Sequence, residues 1–343
     1  MDTFYTRELD PLLGQAVANR TYLRKNENWS QLSERVALGN TLLHPTGKKD
    51  YIGVRNGIAS GRLLPAGRHY QHGDIDQPYR NMEVFSNCST APLSFLKFLL
   101  LLNGSGVGRN YSDDQMIVDW HNMPILNCVL SMDHADYNSK YQIDNGIKVL
   151  AKEGFPSKYD YYHLIEDSRE GWAKGLEILE VATYEKKSKK AKFIFDFSDI
   201  RKSGTPIKGM QNRPASGPIP LIYAFQQAAK VRNMDDAMPW KQNMILDHYF
   251  SECVANGGAR RSARIAVKYW KDPEIYEFIT IKKDNPWMWS SNNSIGVDQE
   301  FWEDAMIPGS MAHAVFMLAT ENSFGAGGGE PGFINLDKLT VKE

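Results

Sequence analysis

An apolar run from Ala91 to Leu102 stands between a cysteine and a glycine-rich segment, and this arrangement constrains the fold more than any other stretch of the chain. Ser86-Asn87-Cys88-Ser89-Thr90 precedes the run, and Asn103-Gly104-Ser105-Gly106-Val107-Gly108 follows it. The run is apolar nearly all round, which predicts a buried helix rather than a half-exposed one. A thiol near the start of such a helix and bare backbone at its end can both face one small ligand. A helix N-terminus lowers a thiol pKa, and glycines let a ligand lie on the main chain. Each feature also has a plainer reading, as a buried structural thiol and a helix-stopping glycine. The glycines follow a helix, whereas a dinucleotide-binding fingerprint follows a strand and opens a helix. They also lack the Gly-Lys-Ser/Thr ending of a phosphate-binding P-loop.

Strand and helix patterns alternate along the chain. Residues 82–88 alternate like a strand, and Ile125–Met132, Phe193–Phe197 and Ala263–Val267 read as further strands. Helices are expected over Trp29–Leu43 with a cap at Ser30, and over Arg169–Tyr184 capped by Asp167 or Ser168. Others fall at about 221–232, 239–255, 273–282 and 299–320. Residues 133–165 give a poor element signal, Lys186–Lys192 reads as a solvated basic turn, and 325–332 reads as a flexible loop. The alternation favours an α/β fold with a buried sheet. A helical segment over 1–60 and an α/β domain over 61–343 are the expected divisions.

The 343 residues carry 40 basic and 41 acidic side chains, a net charge of -1 that exerts no global pull on DNA or a membrane. A phosphorylated ligand must then be held locally. Two loops have the residues for this, Arg201–Gly209, with Lys208 inside it, and Gly257–Arg264, with Gly258, Arg260 and Arg261. Solvated basic loops are the plainer reading of both. The long, Gly- and Pro-rich connection from Ser198 to Pro220 is unusual in a compact domain unless it serves a ligand or an interface. Three cysteines, Cys88, Cys128 and Cys253, without a CxxC spacing, favour a reducing cytoplasm over a disulfide framework. No apolar run reaches the ~18–20 residues of a membrane span, the start has no secretory-leader pattern, and no histidine spacing suggests a metal site. Trp287-Met288-Trp289 reads as core packing rather than a stacking platform.

In order, Thr21-Tyr22-Leu23-Arg24, Arg35-Val36 with Gly39-Asn40, Leu64-Pro65-Ala66-Gly67-Arg68, Asn87-Cys88, Gly104–Gly108 and Glu166–Trp172 resemble the catalytic chain of ribonucleotide reductases. The similarity runs from about residue 20 to the end and is greatest to the adenosylcobalamin-dependent (class II) branch, including short phage forms. The resemblance implies a ten-stranded α/β barrel of two five-stranded halves, of which this chain holds about the first, behind an N-terminal helical segment. It implies radical reduction of ribonucleotides to deoxyribonucleotides, with Cys88 as one member of the reducing cysteine pair. Pro65, Ala66 and Asn87 would lie by the ribose and phosphates, and Gly104, Ser105 and Gly106 by the base. Ser198–Gly217 and Gly257–Ser262 resemble the two specificity loops, which makes Arg201, Lys208, Gly209, Gly258, Arg260 and Arg261 candidate contacts of a deoxynucleotide effector.

No Asn-x-Cys-x-Glu segment occurs, and in the family it follows soon after a Gly-Glu-Pro-Gly stretch, here Gly329–Gly332. The resemblance therefore places the radical cysteine and the partner of Cys88 in a missing C-terminal part, without which no activity is expected. The partners it implies are that part, a thioredoxin- or glutaredoxin-type reductant, and a second copy of the chain. Adenosylcobalamin is the expected radical source, with a separate metal-containing subunit as the alternative. A non-catalytic deoxynucleotide-binding regulator is the competing function, and a dehydrogenase would need a strand directly before Gly104. Open sheet edges in a half-barrel predict poor solubility of the chain alone.

Overall fold

The computed structural model describes residues 13–79, 85, 88–155, 158–185, 189–207, 213–234, 237–256, 262–325 and 329–339. They fall into two compact units that divide after Asn87. Among the described residues, no helix is long and apolar enough to cross a membrane.

The first unit holds α1 (Gly14–Thr21), α2 (Trp29–Thr41), α3 (Tyr51–Ala59) and α4 (Gly67–His72), and the last three supply its core of Leu32, Val36, Ala37, Ile58 and Tyr70. Helix α2 starts from Asn28, not from Ser30. Asn28 is extended, its side chain accepts from the Gln31 amide, and the Gln31 side chain accepts from the Asn28 amide, a reciprocal capping box. Arg35 ties the unit together by pairing with Glu27 at 2.6 Å and donating to the carbonyls of Gly73 and Tyr70. Burial raises the Glu27 pKa, but the Arg35 contacts outweigh it and leave the carboxyl below its ordinary value. Gly39 is required by close approach, since a Cβ there would lie 2.4 Å from the Asp74 carbonyl oxygen. Gly39→Ala should therefore destabilise this unit by about 1–3 kcal/mol, the usual cost of overpacking. A thermal melt indistinguishable from wild type would contradict that contact.

The second unit begins with β1 (Cys88–Thr90), α5 (Ser94–Leu102), β2 (Gly106–Asn110), β3 (Ile125–Leu130), α6 (Lys140–Asp144), β4 (Leu150–Ala151) and β5 (Tyr161–Leu164). It continues with α7 (Arg169–Tyr184), β6 (Lys192–Asp196), β7 (Pro206–Ile207), β8 (Arg213–Pro214), α8 (Ile219–Val231), α9 (Pro239–Ala255) and β9 (Ala263–Tyr269). It ends with α10 (Ile275–Asp284), β10 (Ser291–Val297), α11 (Gln299–Asp304), α12 (Met311–Thr320) and β11 (Gly332–Asn335). A five-stranded sheet has the order β1-β2-β9-β10-β11 and a four-stranded sheet the order β4-β3-β6-β5. Every pair in both sheets is parallel, as expected of strands joined by helical crossovers. The α/β class stands, and five parallel strands are what one half of a ten-stranded barrel supplies.

Several local expectations change. Helix α5 starts at Ser94 rather than Ala91, because the Ala91 amide still donates to the Gly108 carbonyl and keeps the chain extended. Pro308-Gly309 interrupts the helix expected over 299–320, with Gly309 at φ +89. Residues 329–331 of the expected loop carry no regular element, and strand β11 begins at its last residue, paired with β10 from Gly332 to Asn335. The region of poor signal holds α6, β4 and β5. Most of the strand expected at 82–88 lies outside the described residues, as does Lys186–Ser188 of the basic turn.

Candidate functional site

The start of the five-stranded sheet brings three separate segments into one row. Cys88 pairs in register with Gly106, and Gly106 with Ala263. Strands about 4.8 Å apart place this row across about 10 Å. Ala263 follows directly on the candidate loop 257–262, so the first strand residue after that loop lies beside the glycine segment and one strand from the thiol.

The two faces of the sheet differ. Alternate residues of a strand point to opposite sides. Val107, Arg109, Arg264, Ala266 and Lys268 are buried, on the side where α5 packs on β2 and α9 on β9. Cys88, Thr90, Ala263 and Ile265 are exposed, with Gly106 and Gly108 partly exposed between them. The open face is thus a thiol beside a floor of bare backbone. A Cβ at Gly108 would meet only ordinary contacts, the nearest at 3.7 Å, so local packing leaves room for a side chain there. Gly108→Ala should leave thermal stability close to wild type, and a clearly lowered melting temperature would contradict that room.

Cys88 opens a strand rather than a helix, so the helix-terminus argument for its reactivity does not apply. Six positions separate it from Ser94, and its reach to a ligand comes from the sheet edge and its exposure. Cys128 and Cys253 are buried, and burial pushes the Cys128 thiol well up. Gly104 ends α5 at φ +88, its amide donating to the Leu101 carbonyl while that of Ser105 donates to Leu100. Ser105 is buried behind it. No strand stands directly before Gly104, which removes the dehydrogenase reading. Pro65 and Ala66 lie in the first unit, in the extended segment before α4. Arg201 is paired with Asp167 at 2.6 Å, linking the loop after β6 to the segment before α7. Asn87, Lys208, Gly209, Gly258, Arg260 and Arg261 lie outside the described residues.

Beneath the glycine strand is a charge cluster that the sequence reading missed. Asp247 of α9 accepts from Lys97 Nζ at 3.2 Å, Arg109 at 2.9 Å and the Tyr111 hydroxyl at 2.6 Å. Arg264 donates to the Tyr111 hydroxyl at 3.0 Å and to Ser290 at 2.7 Å. Arg109 also reaches Ser94 and Asn243, and Glu180 of α7 accepts from the Ser94 and Phe95 amides that open α5. Burial raises the Asp247 pKa, but the nearby Lys97 and Arg109 charges dominate and hold its carboxyl far below the usual range. Burial, joined by the Arg264 charge, pushes Lys97 well down. The cluster fixes β2 and β9 from behind, setting the floor on which Gly106 and Ala263 lie. A signal was present in the sequence: Lys97 interrupts a helix otherwise apolar enough to be buried, and a buried cation needs a partner.

Trp287 and Trp289 are 40% and 51% exposed, not core. Trp287 stacks on Tyr249 and both contact His248. Met288 alone of the three is buried.

The family model for the insertion domain of B12-dependent ribonucleotide reductase matches residues 126–232. That stretch holds the four-stranded sheet apart from Ile125, together with α6, α7, α8 and the loop from Ser198 to Gly217. A protein of Mycobacterium phage D29, named as an adenosylcobalamin-dependent ribonucleoside-triphosphate reductase, is 30% identical over 96% of this chain and 51% of its own length. The adenosylcobalamin-dependent ribonucleoside-triphosphate reductase of Levilactobacillus brevis is 25% identical over 94% of this chain and 48% of its own. A crystal structure of a B12-dependent (class II) ribonucleotide reductase superposes with a TM-score of 0.68 at 21% identity, covering 96% of this chain and 50% of that one. The chain spans about half the length of the curated relatives it matches, and its fold is that of the class II structure. The family resemblance read from the sequence motifs stands.

Proposed function

We propose that this chain is part of a ribonucleotide reductase, supplying the glycine floor of the substrate site and one of the two reducing thiols. The row of Cys88, Gly106 and Ala263 supports this reading, since it sets an exposed thiol beside a glycine strand and beside the strand that follows residues 257–262 in the chain. In the reaction, the ribose 2′-hydroxyl leaves as water. Cys88 and a second thiol become a disulfide, and the two electrons and two protons they release balance the reduction. Two thiols are needed because one thiol supplies only one electron on the way to a disulfide. Exposure of Cys88 lets a dithiol of thioredoxin or glutaredoxin type reduce that disulfide.

The relatives' names favour a ribonucleoside triphosphate substrate and adenosylcobalamin. When bound, adenosylcobalamin supplies the radical that opens the reaction. Two cavities along α7, one by Phe95 and Glu170 and one by Tyr161 and Ile178, each enclose about 380 Å³, too small for a corrin ring. The second thiol and the radical cysteine belong to the remaining half that the relatives' length implies. Loops 198–217 and 257–262 take a deoxynucleotide effector, with Arg201 released from Asp167 as one of its contacts.

Mixing the chain with a polypeptide carrying the remaining half, a ribonucleoside triphosphate, adenosylcobalamin and a dithiol tests the proposal. Deoxynucleotide formation that requires both polypeptides is expected. Nucleotide binding without turnover, with both polypeptides folded, would instead support a binding-only regulator.

A further inference from the structure

One edge of the four-stranded sheet has main-chain pairing groups left over. Strand β5 ends the order β4-β3-β6-β5 and pairs, among the described residues, with β6 alone. The Ile165 amide, just past the strand, donates to the Asp196 carbonyl at 2.8 Å. A parallel ladder engages alternate residues of a strand, so His163 and Tyr161 face β6 as well. Tyr162 and Leu164 then turn their amides and carbonyls to the open side. Sheet edges are usually guarded by lysine, proline or brevity. The opposite edge, β4, has two residues. Strand β5 has four, reads Tyr-Tyr-His-Leu, and exposes Tyr161 and Tyr162.

A groove runs along this edge on the α7 side. Two cavities of about 380 Å³ each form it. The first lies between Phe95 and Leu99 of α5, His163, Glu166 and the α7 stretch from Glu170 to Glu177. The second lies between Tyr161, Phe193 and the stretch from Lys174 to Glu185. Lys174 and Glu177 line both, so the cavities adjoin. Tyr161 and His163 are two positions apart on one face of β5, and each borders one cavity. The cavities therefore follow the roughly 7 Å step of alternate side chains in a strand. His163 Nε2 is buried and has no hydrogen-bond partner among the described residues. The lining carries Glu166, Glu170, Glu177 and Glu185 against Lys174. Lys174 pairs with Glu177 at 2.9 Å, and Arg169 stands 3.6 Å from Glu170, which leaves the groove negative.

We propose that β5 accepts an extended basic peptide of a partner protein as a further strand, with an apolar side chain beside Tyr161 and a hydroxyl beside His163. Tyr162 and Leu164 supply the main-chain bonds, and the cavities select alternate side chains. Lysine or arginine at the two flanking positions of the same face meets Glu166 and Glu170 at one end and Glu185 at the other. Charge argues against a second copy of this chain as the occupant. A two-fold pairing of β5 with β5 would set α7 beside α7 and bring like carboxylates together. The inference does not depend on the reductase reading.

Calorimetric titration of the full chain with the acetylated, amidated peptide Lys-Ser-Leu-Ser-Thr-Ser-Lys and its reversed sequence tests this. One of the two orders should bind, and glutamate in place of both lysines should weaken it about tenfold or more. Methylating the peptide's amide nitrogens at alternate positions separates strand addition from side-chain binding. One set of positions faces β5 and its methylation should abolish binding, while methylation of the other set should preserve it. Val181→Arg, at a residue 53% exposed beside Tyr161, should weaken the peptide about tenfold without lowering the thermal melt. If that variant fails to fold, the methylated peptides decide alone. No binding of either order, binding indifferent to the change of lysine to glutamate, or equal loss from both methylated sets would overturn the proposal. A dimer in sedimentation that Val181→Arg dissolves, with no peptide bound, would overturn it in favour of a second copy.

Discussion

Asp247→Ala lowers the unfolding free energy of the second unit by about 3–5 kcal/mol, the range for removing one partner of a buried ion pair. The cost is large because Asp247 is 2% exposed and accepts from Lys97, Arg109 and Tyr111 together. Its loss leaves those donors and Arg264 mutually unscreened in a dry interior. Most domains have only about 5–15 kcal/mol in total, so urea midpoints should fall steeply. The same carboxyl makes stability depend on pH. Its folded pKa lies below its unfolded value, so its contribution is present above the unfolded value near 4 and is lost as pH falls towards the folded one. Asp247→Asn should therefore flatten the acid limb of the stability profile. A wild-type acid limb in that variant would show that Asp247 is not the charge holding β2 and β9.

Cys88→Ser reduces dithiol-dependent turnover of the completed enzyme to background while leaving the fold and nucleotide binding near wild type. The serine hydroxyl matches the thiol in shape but forms no disulfide. Cys88 is exposed at a sheet edge, so little packing depends on its sulfur. Cys128→Ser is the contrasting case, because that thiol is buried in a central strand and its loss affects stability rather than chemistry. Turnover of Cys88→Ser close to wild type would move the reducing role to another residue.

Elements with strong local signals were legible in the sequence. Helix α7 runs from Arg169 to Tyr184 as expected, because Ser168 caps it through the Gly171 amide and its apolar positions recur at helical spacing. Strand β6 was legible because Phe193-Ile194-Phe195 is a run of buried apolar residues with strong strand preference. Strand β2 was not, because Gly-Val-Gly-Arg-Asn has little strand preference of its own. Its conformation comes from pairing on both sides, with β1 and β9. The same holds for β10, whose Ser291-Asn292-Asn293-Ser294 has little strand preference of its own yet pairs with β9 and β11. Of the candidate site, the cysteine and the glycines were legible, but their meeting was ascribed to the two ends of a helix. The actual device is strand register, which no local pattern encodes. The Asp247 cluster includes a hydrogen bond between residues 153 positions apart, so only Lys97, stranded in an apolar helix, hinted at it.

The most direct measurement follows the Cys88 thiol through one turnover. The chain and its remaining half are fully reduced, freed of external dithiol, and given ribonucleoside triphosphate and adenosylcobalamin. Product is counted, and free and oxidised cysteines are separated by differential alkylation and mass spectrometry. The account predicts that Cys88 enters a disulfide with a cysteine of the other half, in proportion to deoxynucleotide formed, while Cys128 and Cys253 stay reduced. Product formed while Cys88 remains fully alkylatable would contradict it.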